Sequence, residues 1–367
     1  MTKKIKSIDL ELKNNPELLK AWIKQQALDL GFSDCVVAEP DNRAEMAHYQ
    51  RFLDLGYHAD MDYLAENLDK RADPTLLVPG TRSIICVRMD YLQHKPQARY
   101  IPDTPDMGII ARYARGRDYH KTMRGRLKQL ASRIEEKIGE FISRPFADSA
   151  PILERPLAAK AGLGWVGKHT LIINKQAGSF FVLGELFCSL DLPFDTPVKA
   201  HCGSCSACIG ICPTQAIVEP YLLDARKCIA YLTIEYKGSI DMALRPLIGN
   251  RIFGCDDCQL ICPWNRYAQL TSIDDFHARH GLDDTDLLSF WAWDESEFLS
   301  KTEGSPIRRT GFQSFKRNVA IGLGNAHYSE KIVQALSIKH AQHNDLVYEH
   351  QDWALQQQLK KASSKTT

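Results

Sequence analysis

No run of about 18 apolar residues occurs in this 367-residue chain, so no membrane-spanning helix is expected. The opening stretch, MTKKIKSIDLELKNNPELLK, carries lysines but lacks the apolar core of a secretory signal, which points to the cytoplasm. Disulfides are then excluded, because cytosolic thiols stay reduced. An excess of either charge is also missing. The 46 Lys and Arg against 45 Asp and Glu leave a net charge of +1, so any nucleic-acid surface has to be a local patch. No low-complexity segment is present. What remains is an ordinary globular composition, long enough for two domains or one large domain with extensions, and 11 cysteines that need a purpose.

Residues 16–31 (PELLKAWIKQQALDLG) have helical apolar spacing between Pro16 and Gly31. CVVAEP (35–40) reads as a short strand, and SIICVRMDYL (83–92) as a buried one. Residues 41–70 read as polar and helical. Residues 118–142 predict a long amphipathic helix with a basic outer side. TLIIN (170–174) and SFFVLGELF (179–187) predict two strands joined by a glycine-containing turn. Strands and helices mix up to residue 195, a cysteine-rich segment follows over 196–268, and 269–367 is helical, with Phe315, Val319, Ala320 and Leu323 on one face.

Cys202, Cys205, Cys208 and Cys212 follow C-x2-C-x2-C-x3-C with Pro213 next, the bacterial ferredoxin run. Its first three thiolates wrap one cubane, and its fourth ligates a second cluster. CDDCQLICP (255–263) is a matching run whose first position is Ile252, and Cys228 can supply the missing thiolate. The eight ligands suit two [4Fe–4S] clusters. One is held by Cys202, Cys205, Cys208 and Cys262, and the other by Cys212, Cys228, Cys255 and Cys258. Two four-cysteine zinc sites are the alternative, although zinc modules usually space their C-x2-C pairs further apart. Cys35, Cys86 and Cys188 lie in apolar contexts and read as inert core thiols.

Clusters relay electrons and do not choose a substrate, so the chemistry belongs elsewhere. Asp148 follows a short apolar segment. It reads either as an acid whose proton is held by loss of water, or as the N-cap of a helix over 152–161. GLGWVGK (162–168) allows close approach of a flat ligand or is a tight connection. The stretch 111–130 is the most basic, with Arg115 and Arg124 among interleaved Tyr113, Tyr119 and His120. Arg308, Arg309, Lys316 and Arg317 form a second basic group. Such patches suit an RNA backbone or a solvated helix face.

YARGRDYH, DSAPILERPLAAKAGLGWVGKHTLIIN, CGSCSACIGICPTQAI, GCDDCQLICPWN and GSPIRRTGFQSFKRNVAIGLGN together resemble the epoxyqueuosine reductase family, in order, over residues 20–325. The resemblance implies an α+β chain with three parts. These are a nitroreductase-like cobalamin domain (1–195), a ferredoxin-like two-cluster domain (196–268) and a short HEAT-like region contacting tRNA (269–367). It implies reduction of epoxyqueuosine to queuosine at the tRNA wobble position, with Asp148 as proton donor. Cobalamin contacts fall on Arg71, Asp148, Ile172, Leu183, Ala230 and Tyr236. The tRNA contacts fall on Arg115, Arg124, Arg308 and Arg309. Base-off cobalamin is implied, and no D-x-H-x-x-G pattern is present. A monomer is expected, fed by an external low-potential donor through the Cys212 quartet, then the Cys202 quartet, then cobalamin. A corrinoid reductase of a small molecule, like the reductive dehalogenases, and a ferredoxin-type carrier are the alternatives. The second leaves everything before residue 200 without a purpose.

Overall fold

The computed structural model describes residues 9–95 and 104–365, so the first eight residues of the opening stretch lie outside it. Its N-terminal part is built on one four-stranded sheet. The strands are β1 (Asp34–Ala38), β2 (Ser83–Asp90), β3 (Ser143–Phe146) and β4 (Phe181–Cys188), in the order β1-β2-β4-β3 and antiparallel throughout. That arrangement makes the class α+β.

Every residue of β2 is buried because both faces of the sheet are covered. Ile85, Val87 and Met89 pack with Ile23 of α1 (Pro16–Asp29) and with Met123 and Leu127 of α2 (Tyr119–Ile138). Ile84 and Cys86 point the other way, toward Leu157 and Ala158 of α3 (Glu154–Lys160). A strand sandwiched like this reads as one unbroken apolar run rather than an alternation. Gly184 of β4 seats α2 closely: a Cβ there would lie 2.6 Å from Met123.

Two local expectations change. Residues 41–70 are not one helix. Helices at Met46–Asp54 and Leu68–Ala72 flank a turn, with left-handed backbone at Ala59 and Asn67. The runs 170–174 and 179–187 do form two strands with Gly178 in the turn between, but they do not pair with each other. Ile172–Ile173 pairs back on Trp165–Val166, and the second run becomes β4 at the centre of the main sheet. A Cβ on Gly164 would lie 2.4 Å from the Ile173 carbonyl oxygen, so GLGWVGK makes a tight connection.

The cysteine region has two short helices, α4 (Ala207–Ile211) and α6 (Asp257–Leu260), packed on one another, with α5 (Ile229–Ile234) between them in sequence. The helical remainder centres on α8 (Phe312–Asn325), which packs against α7 (Leu287–Ala292) and α10 (Asp345–Lys365), while α9 (Glu330–Ser337) packs on α10. One apolar core joins Ile229 and Ile252 to Phe315, Val319, Ala320, Leu323 and Ala354, running across residue 268. Among the described residues no helix is long and apolar enough to cross a membrane.

Candidate functional site

Asp148 lies two residues beyond the end of β3, in left-handed backbone at φ +52°. Such a conformation costs a non-glycine residue about 1–3 kcal/mol and is held only when the surroundings enforce it. It caps no helix. α3 begins at Glu154, and its cap position, Leu153, offers no side-chain bond. The Asp148 side chain is 54% exposed.

Its partners come instead from the first turn of α2. The Tyr119 hydroxyl donates to Asp148 Oδ2 at 2.9 Å, and His120 Nε2 lies 3.4 Å from the same oxygen. Asp118 caps α2 through the His120 amide and holds His120 Nδ1 at 2.6 Å. Burial pulls the His120 imidazolium down, but hydrogen bonds and charge from Asp118 and Asp148 outweigh it and hold the value at about 9. His120 is therefore cationic at neutral pH. In the sequence it reads only as one of several interleaved aromatics. The spacing that gives it away is D-Y-H at a helix N-terminus, where Asp caps and His sits in the first turn.

These groups open into a cavity of about 440 Å³, lined by Tyr113, Tyr119, His120, Asp148, Arg308 and Arg309 among others. Arg309 pairs with Glu235 just past α5. The chain thus brings Asp148 together with Arg308 and Arg309, both exposed, across some 160 residues of sequence. Arg124 bridges the His120 carbonyl (3.2 Å) and Ser149 Oγ (3.5 Å), tying α2 to the Asp148 loop. Arg115 does not join this surface. Its Nε donates to the Ile110 carbonyl at 2.9 Å, and burial lowers its pKa. Lys316 and Arg317 of the second basic group are buried as well. Arg317 donates to the carbonyls of Leu232, Tyr236 and Gly238, which holds the end of α5.

Of the expected cofactor contacts, Asp148 alone lines this cavity. Arg71 is buried, donates to the carbonyls of Tyr63 (2.7 Å) and Glu66 (3.1 Å), and lies over the Tyr49 ring. Arg155 has Tyr49, Glu154 and Asp148 as charge neighbours. Ile172 and Leu183 pack in the core beneath α3. Ala230 and Tyr236 are half-buried against the C-terminal core. Tyr63, which sequence reading misses, is 54% exposed, and its phenol feels Glu235, Asp148, Arg309 and Arg71 from both sides. Beside Arg155, His169 is buried with Nε2 unpartnered, and burial drives its pKa to about 4. A neutral imidazole with an unpartnered nitrogen is a polar group that a hydrogen-bonding ligand would satisfy.

The eight thiols lie near one another, and Cys258 has Cys208 of the other quartet among its neighbours. Cys262 is pushed up to about 11, first by burial and then by the sulfurs of Cys202, Cys208 and Cys205. Burial also raises Cys258, whose thiol neighbours include Cys228 and Cys212; Cys228 feels Cys212, and Cys255 feels Cys258. Among the described residues, no three His, Cys, Asp or Glu side chains close around a single ion.

The two quartets have different surroundings. Cys205 is exposed, and Lys168 donates to its carbonyl, while Cys262 lies among Trp165, Trp264 and Cys202. Cys228 caps α5, whose far end meets Arg309 at the cavity through Glu235.

Comparison with known proteins follows these lines. The family model described as epoxyqueuosine reductase QueG, DUF1730, matches residues 71–149, and that of the 4Fe-4S double cluster binding domain matches residues 201–265. The chain is 51% identical over 342 residues to the epoxyqueuosine reductase of Pseudomonas aeruginosa, covering 93% of this chain and 95% of that one. It is 51% identical to that of Escherichia coli, with 93% and 90% covered. A crystal structure of an epoxyqueuosine reductase with a tRNA-Tyr epoxyqueuosine-modified stem loop superposes with a TM-score of 0.84 at 26% identity, over 95% of this chain and 94% of that one. The Bacillus subtilis enzyme, with its catalytic aspartate loop swung out of the active site, matches with the same score, identity and coverage.

Proposed function

The chain belongs to the epoxyqueuosine reductase family, and from that premise we propose that it reduces epoxyqueuosine to queuosine at the wobble position of tRNA. The observation that carries the reading is the meeting of Asp148 with exposed Arg308 and Arg309 at one cavity, an acid beside cations that suit a polynucleotide. The reaction takes the epoxide oxygen off as water and leaves an alkene, so the site has to deliver protons while electrons arrive.

The chain's own residues handle the protons. Tyr119 donates to Asp148 and fixes its orientation. His120 is the cation that stores the proton, and Asp118 keeps its ring in place. Asp148 passes the proton to the departing oxygen and is refilled from His120.

Cys202, Cys205, Cys208 and Cys262 hold one [4Fe–4S] cluster, and Cys212, Cys228, Cys255 and Cys258 hold the other. An external low-potential donor reaches the Cys205 side first, where the thiol is exposed. Arg71, Asp148, Ile172, Leu183, Ala230 and Tyr236 border base-off cobalamin. When bound, that cofactor supplies the strongly reducing metal centre, fed one electron at a time by the clusters. Residues 1–195 serve the cofactor, 196–268 the clusters and 269–367, with HEAT-like helices, the tRNA. The protein works in the cytoplasm as a monomer.

Asp148→Asn tests the assignment with purified tRNA bearing epoxyqueuosine. Turnover is expected to fall by about 10²–10⁴-fold with tRNA affinity and both cofactors retained. Full activity would move the acid role to another group or to water.

A further inference from the structure

Beneath the Asp148 loop lies a second pair of carboxyl groups that the reaction as described does not use. β3 pairs with β4 so that Phe146 faces Glu185. Asp148 follows Phe146 by two residues. Glu185 itself is fully buried on the α3 side of the sheet. Glu154, in the first turn of α3, accepts the backbone N–H of Asp148 at 2.6 Å. Its carboxyl adjoins that of Glu185, near enough for one to bond the other once either carries a proton. Among the described residues, no N–H or hydroxyl reaches either oxygen of Glu185.

Two adjoining carboxyl groups out of water cannot both ionise. A single proton resolves both problems. On Glu185 it gives that group something to donate, and it leaves Glu154 free to accept from Asp148. Burial, followed by the Asp148 charge, pushes Glu154 up to about 7, and burial with Glu154 raises Glu185 further. The groups facing the pair are Asp148 from the loop, His120 from α2, Cys86 from β2 and Arg155 from α3.

We propose that Glu154 and Glu185 share one proton and act as a latch, holding Asp148 in its left-handed inward conformation through its backbone N–H. They are positioning residues for the proton donor, and the proposal rests on the reading of Asp148 given above. The left-handed backbone needs such a restraint. The Bacillus subtilis relative, whose catalytic aspartate loop is swung out, shows that the corresponding loop can leave.

Hydrogen exchange at the Asp148 amide of the holoenzyme reads the latch without reference to turnover. Glu154→Ala is expected to speed that exchange at least tenfold. It should lower kcat by about 10–100-fold and leave KM for tRNA within about twofold, since only positioning is lost. If that chain fails to fold, Glu154→Met keeps the volume without the acceptor. Glu154→Gln keeps an acceptor oxygen and should restore both protection and most of kcat. Glu185→Gln still donates to Glu154 and should behave like wild type, whereas Glu185→Leu should loosen the amide. Unchanged protection in Glu154→Ala or Glu154→Met overturns the latch whatever the turnover, and so does equal loss in Glu154→Gln. Lost protection with full turnover keeps the latch and defeats the role given to Asp148.

Discussion

The eight cysteines of the cluster region lie within residues 202–262, while the cavity at Asp148 draws on residues 113–121, 148 and 303–309. Within the first set, the runs 202–212 and 255–262 are spaced by short loops, so local chain geometry brings most of its sulfurs together. The second exists only after β3, α2 and the segment before α8 have packed. Damage to the first should therefore remove a prosthetic group, and damage to the second should leave every cofactor bound while chemistry stops.

The sharpest break of that contrast is within the thiols themselves. Cys258 is half-buried beside Cys228, Cys208 and Cys212, whereas Cys205 is exposed. Cys258→Ala should cost about half of the bound iron and lower turnover more than about 10³-fold, because the cavity-side relay is lost. Cys205→Ala should deplete iron too, but leave the fold intact and the other cluster's absorbance in place. Iron content and visible spectra check both. Equal collapse of the two variants would mean that the quartets do not differ in position as their burial indicates.

The cavity answers to pH. The His120 value of about 9 lies above the ordinary 6.5 because of Asp118 and Asp148, with burial opposing them. Its contribution to stability is thus complete below about pH 6.5 and is lost as pH rises through about 9. Turnover should fall along the same alkaline limb. His120→Gln should lower kcat by about 10²-fold and abolish that limb while iron and corrin content stay at wild-type levels. A persisting limb near 9 in the variant would assign the titration to another group.

The same contrast decides what is legible beforehand. The two cysteine runs can be recognised on spacing alone because their loops are a few residues long, whereas Cys228 and Cys262 join their quartets only through the fold. β2 can be read from eight consecutive residues, since a strand covered on both faces carries its pattern within itself. Asp148 is visible as a carboxylate after a strand, but its partners are not. Tyr119 and His120 reach it only because Gly184 lets α2 sit close on β4. Glu185 looks like one charge in an apolar run, and nothing in that run says that Glu154 lies above it. Runs of positive charge mislead for a related reason. Lys316 and Arg317 sit on a helix buried on nearly all sides, where a cation serves carbonyls rather than solvent.

That last point yields the smallest and most discriminating prediction, made on arginines alone. Arg308 is exposed at the cavity rim, whereas Arg115 is turned inward onto the Ile110 carbonyl. If the rim meets a phosphate backbone, Arg308→Glu should weaken tRNA binding several-fold and flatten the dependence of log Kd on log salt by about one unit. Melting temperature should barely change. Arg115→Glu should do the opposite. It breaks a partly buried hydrogen bond and should cost about 1–3 kcal/mol of stability, with the salt slope of the folded fraction unaltered. Binding titrations at two or more salt concentrations, run beside thermal melts, separate the two. A steep salt effect at Arg115 would mean that its guanidinium leaves Ile110 to meet the RNA, and the boundary between rim and core would have to be redrawn there.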